Sequence, residues 1–327
     1  MTIRDVATRA GVSPATVSRV FSQPETVAPG TRQRVLTAAE ELRYAPNPVA
    51  RSLARRRTGN LGIVVPDIAN SFSAMIIKAA QQEARHAEYA LFVTASEELV
   101  DDEERQARAL APQVDGLLLT SPQASDACLR ELADIVPVVV TNRLLDSVPA
   151  VLTESAQATG HAVEHLHALG HREVAYLAGP DGYSNQSRTS GLQAACARLG
   201  LEPVVLGPFP ARFSSGVRAA DLVLAAGVTA VVAFNDDIAA GLLTRFADRG
   251  VRVPEQISVV GHDDTALAEM VTPRLTTVHI PAAAAGATAT QLLIRYVRGD
   301  DSGVRRYELP SELIVRGSTG PVTARST

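Results

Sequence analysis

The sequence predicts an α/β protein with a small all-α head and a larger body of parallel sheets in two similar subdomains. Three observations carry this. Residues 1–57 are basic and helically periodic. From about residue 60, short apolar runs alternate with amphipathic helices, the pattern of parallel strands covered on both faces. About ten such runs are more than one comfortable sheet needs, so two subdomains are expected.

Charge separates the two parts. Residues 1–60 hold ten Arg against four Asp or Glu, a net of +6, whereas the whole chain of 327 residues carries −4. A basic segment in an acidic protein is an electrostatic footprint for nucleic acid. No run approaches the length of a membrane span, the start lacks a signal-peptide run, and Cys128 and Cys196 have no paired spacing. A cytoplasmic protein with reduced thiols is expected, nucleoid-associated when bound to DNA.

The head reads as a helix-turn-helix. Thr2 and Asp5 have capping-box spacing, so a helix should start near residue 3. Gly11 ends it, Ser13 caps the next helix and Pro14 opens it. Val17, Val20 and Phe21 should face inward. Pro14, Ala15, Thr16, Ser18 and Arg19 are left for the surface that enters a major groove. Arg19 suits guanine O6/N7, Pro14 and Ala15 suit a thymine methyl, Thr16 and Ser18 suit phosphates, and Thr2 and Ser13 are further DNA-binding candidates. A third helix is expected at about 31–43.

Asn47 and Pro48 then open a basic segment, Val49 to Arg57, too short to be a stable helix alone. Leu53 among Arg51, Arg55, Arg56 and Arg57 suits a minor-groove wedge held by cations on phosphates. The domains are therefore expected at 1–46 (head), 47–59 (hinge helix and linker), 60–320 (body) and 321–327, with the tail unstructured from about Gly320.

In the body, apolar runs include Leu61 to Val65, Ala90 to Thr94, Gly116 to Leu119, Val136 to Val140, Val174 to Leu177, Ala230 to Phe234 and Ile257 to Val260. Ligands in such folds bind outside the carboxyl ends of the strands. The polar residues there are Asp67 to Phe72, Asn142-Arg143, Asp181 to Arg188, Asn235-Asp236 and His262-Asp263, with Phe209 nearby. An aromatic (Phe72 or Phe209) stacking on a ring amid Asn, Asp and Arg suits a polyhydroxylated ligand or a small heterocycle.

The strings Asp5-Val6-Ala7, Gly11-Val12-Ser13, Thr16-Val17-Ser18-Arg19-Val20, Tyr44-x-Pro46-Asn47 and Ala50-Arg51-Ser52-Leu53 resemble the LacI-type family of bacterial transcriptional repressors. The resemblance covers essentially the whole chain. It implies a two-lobed body similar to type I periplasmic sugar-binding proteins, with lobe 1 at about 60–153 and 281–311 and lobe 2 at about 154–280 and 312–320. It puts Pro14, Ala15 and Arg19 at base-reading positions and Leu53 at the intercalating hinge leucine. Asn142, Arg188, Phe209, Asn235 and Asp263 fall on effector-contact positions, with Phe72 beside them. His262 replaces the common aromatic before that Asp, and Ser71 and Ser73 replace the Pro and second Phe of an Asn-Pro-Phe-Phe string. Ala28-Pro29-Gly30-Thr31 lacks the usual cap before the third helix, and Gly30 should weaken its start by about 0.5–1 kcal/mol. The resemblance implies a homodimer on a pseudo-palindromic operator and a small effector, a sugar by default, with nucleosides and purines as alternatives.

Enzyme chemistry finds little support. His161-x-x-Glu164-His165 matches an inverted zinc-protease string, but no further acidic ligand is placed by motif. Lys78 is the sole lysine and no Gly-rich phosphate loop precedes it. No cofactor or metal is expected. A sugar carrier would need a signal peptide and has no use for a basic head.

Overall fold

The computed structural model describes residues 1–22, 24–44, 57–300, 303 and 306–322. Asn47, Arg51, Leu53 and Arg55 lie outside the described residues. The chain forms two compact units, Met1–Gly59 and Asn60–Thr327.

In the first unit, α1 (Ile3–Ala10) opens on a reciprocal box. The Thr2 side chain accepts from Asp5 N and the Asp5 carboxylate accepts from Thr2 N at 2.7 Å. Gly11 ends the helix at φ 65°, a left-handed conformation in which a Cβ is costly. Ser13 Oγ accepts from Thr16 N at 3.2 Å at the start of α2 (Pro14–Ser22). The third helix, α3 (Pro29–Glu41), begins two residues before the expected position, because Pro29 can open a helix that has no side-chain cap at Ala28. Val6, Val17, Val20 and Val35 are buried together, with the Phe21 and Tyr44 rings 6.1 Å apart beside them. Arg9 pairs with Glu41 at 2.7 Å, tying α1 to α3.

The second unit holds two six-stranded sheets. One runs β2 (Ala90–Ala95), β1 (Asn60–Val65), β3 (Gly116–Thr120), β4 (Val138–Thr141), β5 (Ala150–Thr153), β11 (Arg306–Leu309), every pair parallel. The other runs β7 (Val204–Leu206), β6 (Val174–Leu177), β8 (Ala230–Ala233), β9 (Ser258–Asp263), β10 (Thr276–His279), β12 (Glu312–Ile314). Here one edge departs from the parallel expectation: β12 runs antiparallel to β10. Only Pro310 and Ser311 separate β11 from β12, too short a link for a crossover helix.

Strand periodicity distributes side chains to two faces. Leu117 and Leu119 join one core with α5 (Val100–Leu110) and α6 (Asp126–Ile135). Leu118 joins the opposite core with α4 (Ser71–His86) and α12 (Ala282–Arg298). In the second sheet, Val174 and Tyr176 pack with α7 (Ala156–Ala168) and α8 (Tyr183–Leu199). Ala175 and Leu177 pack with α9 (Phe213–Ala225) and α10 (Asp236–Asp248). Both faces are covered, which is why the strands read as continuous apolar runs.

The chain passes between the lobes after β5, after β10 and between β11 and β12. The segment expected to be unstructured from Gly320 is tied in as far as Val322. Gly320 N donates to Ser258 Oγ at 3.1 Å and Val322 N to Leu169 O at 3.0 Å. Residues 323–327 lie outside the described residues.

Candidate nucleic-acid interface and ligand cavity

On the head, burying Val17 and Val20 turns the rest of α2 outward. Pro14, Ala15 and Arg19 are exposed, and Thr16 and Ser18 are half-buried at the flanks. Ser13 and Thr16 share a hydroxyl contact at 2.9 Å, which fixes the first turn. Thr2 is exposed at the other helix start. The side chains suited to base edges thus run from the first turn of α2, with Pro14 and Ala15, to its last turn, with Arg19.

In the body, a cavity of about 100 Å³ lies at the carboxyl ends of β1, β3, β6, β8 and β9. In each sheet this is where strand order reverses, between β1 and β3 and between β6 and β8. Four of the expected residues line it: Phe72, Arg188, Asn235 and Asp263.

Arg188 is buried at 4% exposure. Its guanidinium donates to Phe234 O and, at 3.1 Å, to Asp263 Oδ1, and it lies 4.4 Å from the centre of the Phe234 ring. Its Nε lacks a partner among the described residues. Burial pushes the Asp263 carboxyl up, and Arg188 opposes that. Asp263 sits at φ 104° and Ser121, also on the wall, at φ 47°. Such backbone in non-glycine residues is costly and is held where the surroundings fix it.

Asn235 lines the cavity with a side chain already in use. Its Oδ1 caps α10 by accepting from Ile238 N, and its Nδ2 donates to Ala211 O at 3.2 Å. Phe72, from lobe 1, packs against the cores of both lobes. Tyr183, from lobe 2, packs in turn against the lobe 1 core. Both rings line the cavity.

Three expected residues do not line it. His262 precedes Asp263 on β9 and so projects to the opposite face. It is fully buried, with Nε2 2.9 Å from Thr159 Oγ1 and Nδ1 3.0 Å from Ala233 O. Burial holds its pKa well below the ordinary value, so it stays neutral. Asn142 clamps β4 to β5: its Oδ1 accepts from Thr153 N at 2.9 Å and Thr153 Oγ1 at 3.0 Å. Phe209 packs against the lobe 2 core instead.

The structure adds Glu98, Ala211, Arg212 and Asp237 to the residues the sequence singled out. Asn70 Nδ2 donates across the lobes to Ala211 O and Asp237 Oδ2, each at 3.3 Å. Glu98 accepts from Ala211 N at 3.2 Å, with Arg212 at 3.8 Å. These five residues form a polar contact between the lobes at one rim. Behind the wall, Asp236 is buried, accepting from Thr265 N at 2.7 Å and Thr277 Oγ1 at 2.6 Å. Burial and the neighbouring Asp263 push its carboxyl up, and Asp237 is raised to about 6, first by burial and then by Asp263 and Asp67. The zinc-like string has other partners: His165 Nε2 lies 2.9 Å from Thr319 Oγ1, and Glu164 pairs with Arg198.

Comparison with known proteins places this geometry. Residues 2–47 match the family of bacterial regulatory proteins, lacI family, and residues 163–319 match a periplasmic binding protein-like domain. Catabolite control protein A of Priestia megaterium is 33% identical, the alignment covering 98% of this chain and 99% of that protein. The lac repressor dimer, solved bound to operator and the anti-inducer ONPF, superposes with a TM-score of 0.86 at 30% identity, covering 98% and 99% of the two chains. The transcriptional regulator CelR in complex with cellobiose superposes with a TM-score of 0.69 at 32% identity, over 97% and 99%.

Proposed function

This chain belongs to the lacI family of bacterial regulatory proteins, and on that premise we propose that it is a repressor whose operator affinity is switched by a small sugar held between the two lobes. The observation that carries the reading is the buried Arg188–Asp263 pair on the wall of a cavity that side chains from both lobes close. A fixed donor fork beside a fixed acceptor suits vicinal hydroxyls, and Phe72 and Tyr183 offer ring faces for a sugar's apolar side. The cellobiose complex of a relative supports the sugar class.

The protein acts as a homodimer, each head reading one half of a pseudo-palindromic operator. Arg19, Pro14 and Ala15 read bases. Thr2, Ser13, Thr16, Ser18, Asn47, Arg51 and Arg55 hold the backbone, and Leu53 opens the central step. Sugar binding changes the angle between the lobes and so the population of the DNA-competent state. The chemistry is binding, not catalysis, in the cytoplasm.

The test is fluorescence anisotropy on DNA from the gene's own upstream region, at fixed salt, with and without a panel of sugars and nucleosides. A sugar that releases the DNA supports an inducible repressor. A sugar that tightens binding reverses the sign and makes it a corepressor. No response from any compound removes the switching role of the cavity.

A further inference from the structure

The cavity is unevenly charged. Among its described lining residues, Asp67, Glu98, Asp181 and Asp263 face a single cationic side chain, Arg188. Arg188 and Asp263 already pair at 3.1 Å and Glu98 has Arg212 nearby, which leaves Asp67 and Asp181 without an ion pair among the described residues. Arg212 is not part of the lining and approaches Glu98 only to 3.8 Å. Asp237 lies close enough to feel both Asp67 and Asp263, and Glu98 feels Asp67. Negative potential therefore accumulates on both lobes.

The one cation is also committed elsewhere. Both terminal nitrogens of Arg188 already donate to protein acceptors, Phe234 O and Asp263 Oδ1, and its Nε is buried. Its positive charge is already paired with Asp263, so it has no unshared charge to offer a phosphate or carboxylate. Of the three helix starts at the cavity, the other source of positive potential, two are answered by side-chain caps and that of α8 has none. Asn70 and Asn235 cap α4 and α10 with their side chains, and Asp181 stands just before α8. What the wall offers in surplus is acceptors, and acceptors call for hydroxyl or ammonium donors.

We infer that this pocket takes a ligand without negative charge, an uncharged or amine-bearing polyhydroxylated ring, and excludes phosphate esters and sugar acids of the same size. The inference rests on the cavity being the effector site. Isothermal titration of the full chain tests it with matched sets: glucose, glucosamine, glucose 6-phosphate and gluconate; ribose and ribose 5-phosphate; adenosine and its 5′-monophosphate. The tightest binder should be uncharged or amine-bearing, and its phosphorylated counterpart should bind at least tenfold more weakly. The Asp67→Asn/Asp181→Asn double variant should shrink that ratio several-fold, with single Asp181→Asn doing so in part if the double variant folds poorly. An anionic compound binding as tightly as its neutral parent overturns the charge inference and leaves the effector site standing. If no compound in any set binds while operator binding persists, the effector reading of the cavity falls, and this inference with it.

Discussion

Arg188 gives the cavity both its rigidity and its vulnerability. It is paired with Asp263 out of water, so removing either side chain leaves the other charge buried and uncompensated. Arg188→Ala should abolish the sugar response and lower stability by about 3–5 kcal/mol. Operator binding, carried by the head, should persist under conditions where the variant is folded. A normal sugar response in Arg188→Ala would remove this residue from the site. Asp236 and Asp237 predict a pH dependence. Both carboxyls are raised by burial and by Asp263, so the folded state holds protons that the unfolded chain releases near pH 4. Stability contributed in this way is present below that pH and is lost as pH rises, for Asp237 through about pH 6. Each proton so retained contributes a slope of about 1.4 kcal/mol per pH unit. Asp236→Asn, which can still accept from Thr265 N and donate to Thr277 Oγ1, should flatten the profile of denaturation midpoint against pH. A profile as steep as the wild type's would assign the dependence to other groups.

Capping chemistry governs the head at the scale of the element. The helices α1 and α2 start on side-chain caps, Thr2 with Asp5 and Ser13, whereas Ala28 gives α3 none. Ala28→Ser should restore the missing acceptor and stabilise α3 by about 0.5–1 kcal/mol. Hydrogen exchange at the first-turn amides of α3 should slow by up to about fivefold, and unchanged exchange would count against the cap argument. The same local signals are what made the head legible in the sequence. The body was legible to the extent that a segment is buried on both faces: Leu117, Leu118 and Leu119 announce a strand. The strand β7 did not announce itself because it is only three residues long, between Pro203 and Gly207. Nor did β12, a three-residue edge strand whose direction is set by a two-residue link. Among site residues, position after an apolar run located Arg188, Asn235 and Asp263. It could not say which face of a strand end a side chain takes, which is why His262 and Asn142 turn out to hold the scaffold. Glu98 and Asp237 were hidden because their roles depend on contacts between the lobes, which no local pattern encodes.

Across the body, the cleft is bridged by the polar set of Asn70, Glu98, Ala211 and Asp237 and by the reciprocal seating of Phe72 and Tyr183. They hold the two lobes against each other across the cleft. Asn70→Ala should loosen that hold, leaving Asp237 without that donor, and weaken sugar binding by several-fold with little effect on global stability. A variant that binds sugar as the wild type does would show that the rim contact does not set closure. The central claim is that sugar and operator communicate through one conformational equilibrium. Linkage then requires the coupling to be reciprocal. The decisive measurement is the sugar Kd of the free protein and of the operator complex, alongside the operator Kd with and without saturating sugar. The account predicts that both pairs differ by the same factor, in the same direction. Two pairs of equal values, with neither ligand altering the other's Kd, would contradict it.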